Sequence, residues 1–141
     1  MIIDASVASK WILKGETYQD KARLLFKRHI IRKDIISVPD LFFYEIANTC
    51  ATKTDLDNEK INKSLRILFK ANLTIHHPNE NDILKSARYA KKYKTSVYDM
   101  IYAVMAKKLK TILITADEKF IQKTNFSYVR LLSEYTAGTE I

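Results

Sequence analysis

The sequence predicts an α/β protein: a short parallel sheet with helices on both faces. Three observations carry that expectation. Brief apolar runs at 1–3, 35–38, 73–76, 112–114 and 128–132 alternate with longer stretches whose apolar residues recur at helical spacing. The run at 112–114 lies between helical patterns and is too short and too apolar for an edge, so it reads as a parallel strand buried on both faces. Acids stand where strands give way to helices, at Asp4 and Asp117, the edge where parallel sheets present functional groups.

Composition narrows the function classes. A chain of 141 residues, 47% of them hydrophobic, is expected to form one domain over 1–141 with a sizeable core. The net charge of +8 favours a polyanionic partner, although a lysine-rich protein carries the same balance without one. Cys50 is the single cysteine, so neither an internal disulfide nor a two-cysteine zinc site is available. Asp4 interrupts the amino terminus before a signal-peptide core can develop, and no apolar run reaches the roughly 20 residues of a membrane span. A cytoplasmic location without a membrane partner is expected. Gly15 and Gly138 are the only glycines, which argues against both a dinucleotide fingerprint and a phosphate-cradling P-loop.

In chain order, the run at 1–3 ends on Asp4, and helical spacing over 5–13 begins at once. By itself Asp4 reads as an N-cap. Ser6 can assist that cap or hold a water or metal nearby. A helix over 17–31 turns Leu24, Leu25 and Phe26 inward and a basic face outward. The strand at 35–38 is closed by Pro39, with Asp40 opening a helix over 41–52. Glu45 falls on the apolar stripe of that helix with Leu41, Phe42, Ile46 and Thr49, an expensive place for a carboxylate unless it is paired or binds metal. Asn48 is placed to support it by hydrogen bonding.

A polar helix over 55–72 reads as scaffold, and the strand at 73–76 ends in His76-His77-Pro78. Neighbouring histidines on a strand point to opposite faces and cannot grip one metal together, and His29 stands alone in a basic helix. An amphipathic helix over 79–93 ends in Lys91, Lys92 and Lys94, cations that suit either a helix carboxyl end or a phosphate. Ser96 followed by Asp99 is a capping-box pattern for a helix with Ile101, Tyr102, Met105, Ala106 and Leu109 as its apolar positions. Thr115-Ala116-Asp117 then follows the strand at 112–114.

If the first and fourth strands are neighbours, Asp4, Asp99 and Asp117 meet at one edge, and Glu45 reaches it from the helix after the second strand. Two carboxylates about 5 Å apart at an effective dielectric near 20 repel by roughly 3 kcal/mol, so such a cluster needs a cation. Oxygen ligands without His or Cys favour Mg²⁺ or Mn²⁺, ions that assist in-line phosphodiester displacement. With a basic chain around it, nucleic acid is the natural substrate.

The stretches Met1-Ile-Ile-Asp-Ala-Ser-Val-Ala, Val38-Pro-Asp-Leu-Phe-Phe-Tyr-Glu-Ile-Ala-Asn, Ser96-Val-Tyr-Asp-Met-Ile-Tyr-Ala-Val-Met-Ala and Thr115-Ala-Asp-Glu-Lys-Phe resemble the PIN-domain ribonucleases, particularly the VapC-like toxins of type II toxin-antitoxin systems. The resemblance implies a three-layer α/β/α sandwich around a short central parallel sheet of Rossmann-like topology. It also implies an Mg²⁺- or Mn²⁺-dependent endoribonuclease, usually a dimer held by an antitoxin. Carried over residue by residue, Asp4, Glu45 and Asp99 match metal-binding acids and Asp117 a fourth acid, while Ser6 and Thr115 match polar positions beside the metal. A haloacid-dehalogenase-like phosphatase would need an acid two residues after Asp4, where Ser6 stands. The competing class is a non-catalytic PIN-like module that binds RNA or protein and keeps its acids as helix caps.

Overall fold

Five short runs of β-branched and long aliphatic residues pair into one all-parallel sheet, as the buried parallel pattern requires. The computed structural model describes residues 1–138; positions 139–141 of the expected 1–141 domain lie outside the described residues. The strands are β1 (Ile2–Ile3), β2 (Ser37–Pro39), β3 (Thr74–His76), β4 (Leu113–Thr115) and β5 (Val129–Leu131), in the order β3-β2-β1-β4-β5. Between them run α1 (Ala5–Ile12), α2 (Gln19–Ile30), α3 (Leu41–Thr52), α4 (Asn58–Lys70), α5 (Glu80–Tyr93), α6 (Val97–Lys108) and α7 (Glu118–Thr124). α1 packs with α2 and α3, α3 with α4, and α5 with α6, the grouping into two layers that right-handed crossovers to either side of β1 call for. Among the described residues no helix is long and apolar enough to cross a membrane.

The order of strands positions the site. β1 pairs with β2 through Ile2 and Ser37, and with β4 through Ile2 to Leu113 and Ile3 to Ile114. The chain moves one way across the sheet from β1 and the other way through β4, so the switch point falls between these two strands. Ile2, Ile3, Leu113 and Ile114 are buried, whereas Thr74 and Ile75 of the edge strand β3 are exposed. Pro39 sits inside β2 rather than just beyond it. The Ser37 N–H donates to Met1 C=O, and Pro39, two residues on, faces the same way where pairing with β1 has ended, so its missing N–H leaves no gap.

α6 is more deeply enclosed than its spacing implies. Met100 and every residue from Tyr102 to Ala106 are buried, because α6 packs on β1, β2 and β4 and also against α5. Leu109, expected inward, is the C-cap residue and is exposed. In α2, Leu25 is buried and Leu24 is exposed, since three consecutive helical residues span 200° and cannot share one face.

His29 has a structural use. Its Nδ1 accepts the Ile36 N–H at 3.1 Å, which leaves Nε2–H to donate to Ala71 C=O at 2.8 Å. This neutral, fully buried ring ties α2 to the entry of β2 and to the end of α4. His29→Leu strands that N–H and that C=O in the interior, and urea denaturation is expected to show a loss of about 2–5 kcal/mol. A loss near zero would show that the ring packs there without tethering.

Candidate active site

Asp4 is the first residue after β1, and its N–H donates to Ile114 C=O of β4. As the N-cap of α1 it accepts the Val7 N–H at 3.2 Å on Oδ1, and the same oxygen accepts the Ser6 hydroxyl. Ser6 Oγ in turn accepts the Ala116 N–H at 2.9 Å and lies 3.4 Å from Thr115 Oγ1. Thr115, fully buried at the end of β4, accepts the Asp117 N–H at 3.0 Å. Asp117 Oδ1 caps α7 by accepting the Phe120 N–H at 3.0 Å. Two hydroxyls thus join the carboxyl ends of β1 and β4 and hold Asp4 and Asp117 beside each other.

The other two acids arrive on helices. Glu45 lies in the second turn of α3, and the Tyr102 hydroxyl of α6 donates to its Oε1 at 2.8 Å. Asn48, expected to support Glu45, is exposed; the support comes from the opposite layer. Asp99 lies in the first turn of α6, where its N–H donates to Ser96 Oγ at 3.0 Å. The full reciprocal capping box occurs at α5 instead, between Asn79 and Asp82.

The acids sense one another. Burial pushes the Asp4 carboxyl up from 3.8 to about 6; hydrogen bonds from Ser6, Thr115 and the Val7 N–H pull the other way, and the Asp99 charge adds to the rise. Burial also raises Glu45, against the Tyr102 hydrogen bond, with the charges of Asp99 and Asp4 reinforcing it. Asp99 is raised by burial and by the Asp117 charge, while its Ser96 hydrogen bond and the Lys123 ammonium lower it. Tyr102 is held far above the ordinary phenol value, first by burial and then by Glu45, Asp4 and Asp99. All four acids are partly exposed, and none enters the four ion pairs found among the described residues. Uncompensated carboxylate oxygens are the donor chemistry of a hard divalent cation. Among the described residues no three of them stand close enough to hold an ion in common, so closure on one requires side-chain rotation.

Tyr102 and Lys123 are the two residues that spacing alone passed over. Lys123 Nζ donates to Lys94 C=O at 2.9 Å, which brings an ammonium beside Asp99. A signal for Tyr102 was present: a buried phenol needs a partner, and so does a carboxylate on an apolar stripe. The remaining histidines lie elsewhere, His77 being exposed with Nδ1 3.1 Å from Asp40 Oδ2.

Comparison with known proteins gives a family and a fold. The sequence model of the PIN domain matches residues 1–125. No curated protein sequence matches the chain. Among solved structures it is similar to PAE2754 from Pyrobaculum aerophilum, with a TM-score of 0.70 at 17% identity over 94% of this chain and 83% of that one. It is also similar to VapC20 of Mycobacterium tuberculosis, described as a sarcin-ricin loop cleaving toxin, with a TM-score of 0.68 at 12% identity over 92% and 98% of the two chains. A toxin-antitoxin complex from Klebsiella pneumoniae matches with a TM-score of 0.67 at 13% identity over 93% and 96%. At such identities the likeness is one of fold.

The raised Asp4 carboxyl makes a prediction for the metal-free protein. The folded state binds this proton more tightly than the unfolded chain, so the contribution favours folding below pH 3.8 and is lost as pH rises through about 6. In EDTA, Asp4→Asn is therefore expected to gain stability relative to wild type as pH increases across that window. A melting-temperature difference that stays flat between those pH values would contradict it.

Proposed function

The chain belongs to the PIN domain family, and on that premise we propose that it is a metal-dependent endoribonuclease that cleaves RNA phosphodiester bonds as the toxin of a toxin-antitoxin pair. The observation that carries this reading is the meeting of Asp4, Glu45 and Asp99 with Asp117 at the carboxyl edge of the sheet, where Asp99 raises Asp4, both raise Glu45, Asp117 raises Asp99, and none enters an ion pair found among the described residues. The donor chemistry suits Mg²⁺ or Mn²⁺, which Asp4, Glu45, Asp99 and Asp117 would hold once their side chains close on it. When bound, the ion supplies Lewis acidity, lowering the pKa of a water and drawing charge from the phosphate.

The chain's own part is to orient and to hold charge. One oxygen of Asp4 is anchored by Ser6 and the Val7 N–H, one of Glu45 by Tyr102, and one of Asp117 by the Phe120 N–H. Each anchor leaves the second oxygen uncommitted by these bonds. Ser6 and Thr115 keep the two strand ends in register, and Lys123 offers a positive charge beside Asp99 where a phosphate oxygen can lie. The net charge of +8 supports a polyanionic substrate.

The solved structures described as a toxin and as a toxin-antitoxin complex support an antitoxin partner. Ile30 at the end of α2 and Ile31 and Ile35 beyond it are each about half exposed, apolar surface that a homodimer would cover. A second reading has an observation behind it. Asp4 and Asp117 do cap α1 and α7, as in a module that binds without cleaving. Glu45, in the second turn of α3, has no such use and favours the nuclease.

Asp99→Asn keeps the shape and removes one ligand charge. It is expected to leave the melting curve near wild type and to lower Mg²⁺- or Mn²⁺-dependent cleavage of an RNA pool by roughly 100-fold or more. Unchanged cleavage by the purified variant would remove Asp99 from the site, and a wild-type protein that cleaves no RNA with either ion would move the assignment to the binding module.

A further inference from the structure

α4 is loosely attached for a helix of 13 residues, since Leu68 is its one buried position and its main packing partner is α3. Its outer face is not a mixed solvated surface. Lys63, Arg66 and Lys70 follow at i, i+3 and i+7, which stacks them along one side of the helix over roughly 10 Å of its axis. With Glu59, Asn62 and Ile67 they line a depression of about 390 Å³, so three cations face a single carboxylate. All three are exposed, and none takes part in an ion pair found among the described residues.

An aromatic platform adjoins the stripe. The Phe69 ring stacks on Phe43 with centroids 5.0 Å apart and planes 13° from parallel. Phe69 remains 63% exposed, so its other side is open to solvent. Phe43 is two residues before Glu45 on α3 and about 200° around the helix from it, so the platform and the acid share a helix but not a face. Tyr44, between them in sequence, is 71% exposed. Exposed rings beside a cationic track are what a single-stranded nucleic acid needs: stacking surfaces that tolerate any base, and charges that follow the backbone.

Resting on the ribonuclease reading above, we infer that the α3–α4 face is a track that holds single-stranded RNA outside the acid cluster. Lys63, Arg66 and Lys70 contact its phosphates, and Phe69 stacks on a base. A peptide partner is less well matched, because the depression is lined by three cations with Ile67 as its single apolar residue rather than by a continuous apolar groove.

The test separates binding from cleavage. Binding of a fluorescent, random-sequence single-stranded RNA is measured in EDTA as a function of salt, and cleavage is measured separately with Mg²⁺ or Mn²⁺. The variant Lys63→Gln, Arg66→Gln, Lys70→Gln is expected to weaken binding more than tenfold at low salt and to reduce the salt slope by about 2, near 0.7 per lost phosphate contact. Arg23→Gln, Lys27→Gln, Arg88→Gln removes the same charge from exposed positions on α2 and α5 and is expected to keep most of the slope. Phe69→Ser is expected to weaken binding several-fold with the slope unchanged. Equal slopes for the two triple variants would overturn the inference even if wild type cleaves RNA. Loss of binding to an acidic partner protein with RNA binding intact would assign the face to that partner instead. Absence of wild-type cleavage, with the slope still carried by α4, would overturn the nuclease reading and leave the track standing.

Discussion

The gathering of carboxylates at the carboxyl edge of the sheet is the constraint on which the rest of the arrangement depends. Asp4 and Asp117 each serve a helix that begins where a strand ends, and separately neither costs much. At the switch point Asp4 raises the Glu45 carboxyl and is itself raised by Asp99, while Asp117 raises Asp99, so each like charge disfavours ionisation of another acid. The fold withstands this through hydrogen bonds, with Ser6, Thr115, Ser96 and Tyr102 each opposing the rise in a neighbouring acid's pKa.

Those donors come from different layers. Ser6 belongs to α1, Thr115 to β4 and Tyr102 to α6, so the edge exists only once the sheet has closed around β1 and both helical layers have docked. The burial of α6 on almost every side serves the same end. A helix held by β1, β2, β4 and α5 cannot rotate, so the backbone at Asp99 and Tyr102 keeps its place relative to the helix and strand that carry Glu45 and Asp117. The enclosed centre contrasts with α4, which contributes one residue to the core and has a surface left over for contact.

Much of this was legible in the residues. The strands lie within a residue or two of the apolar runs, because short apolar segments between amphipathic ones have few alternatives to a buried parallel sheet. Asp4 and Asp117 announced themselves by following those runs, and Glu45 by lying on an apolar stripe. The errors were of direction. Leu24 and Leu109 were expected inward and are exposed, and Asn48 was matched to Glu45 because it lies nearly one turn away. Sequence distance along a helix predicts neighbours on that helix and says nothing about the layer across the sheet.

The sequence by itself therefore determined the local identities: which segments are strands, which residues cap helices, and which chemical groups stand at the strand ends. It also determined the sign of the protein's field, through its net charge of +8. Only the tertiary structure decided that β1 and β4 are neighbours, that Ser6 reaches across to Ala116, that Tyr102 and not Asn48 holds Glu45, and that Lys123 stands by Asp99. The physical reason is range. Caps and periodicities arise from interactions within one or two turns, whereas each of those pairings joins residues that only packing of the layers can bring within a few ångströms.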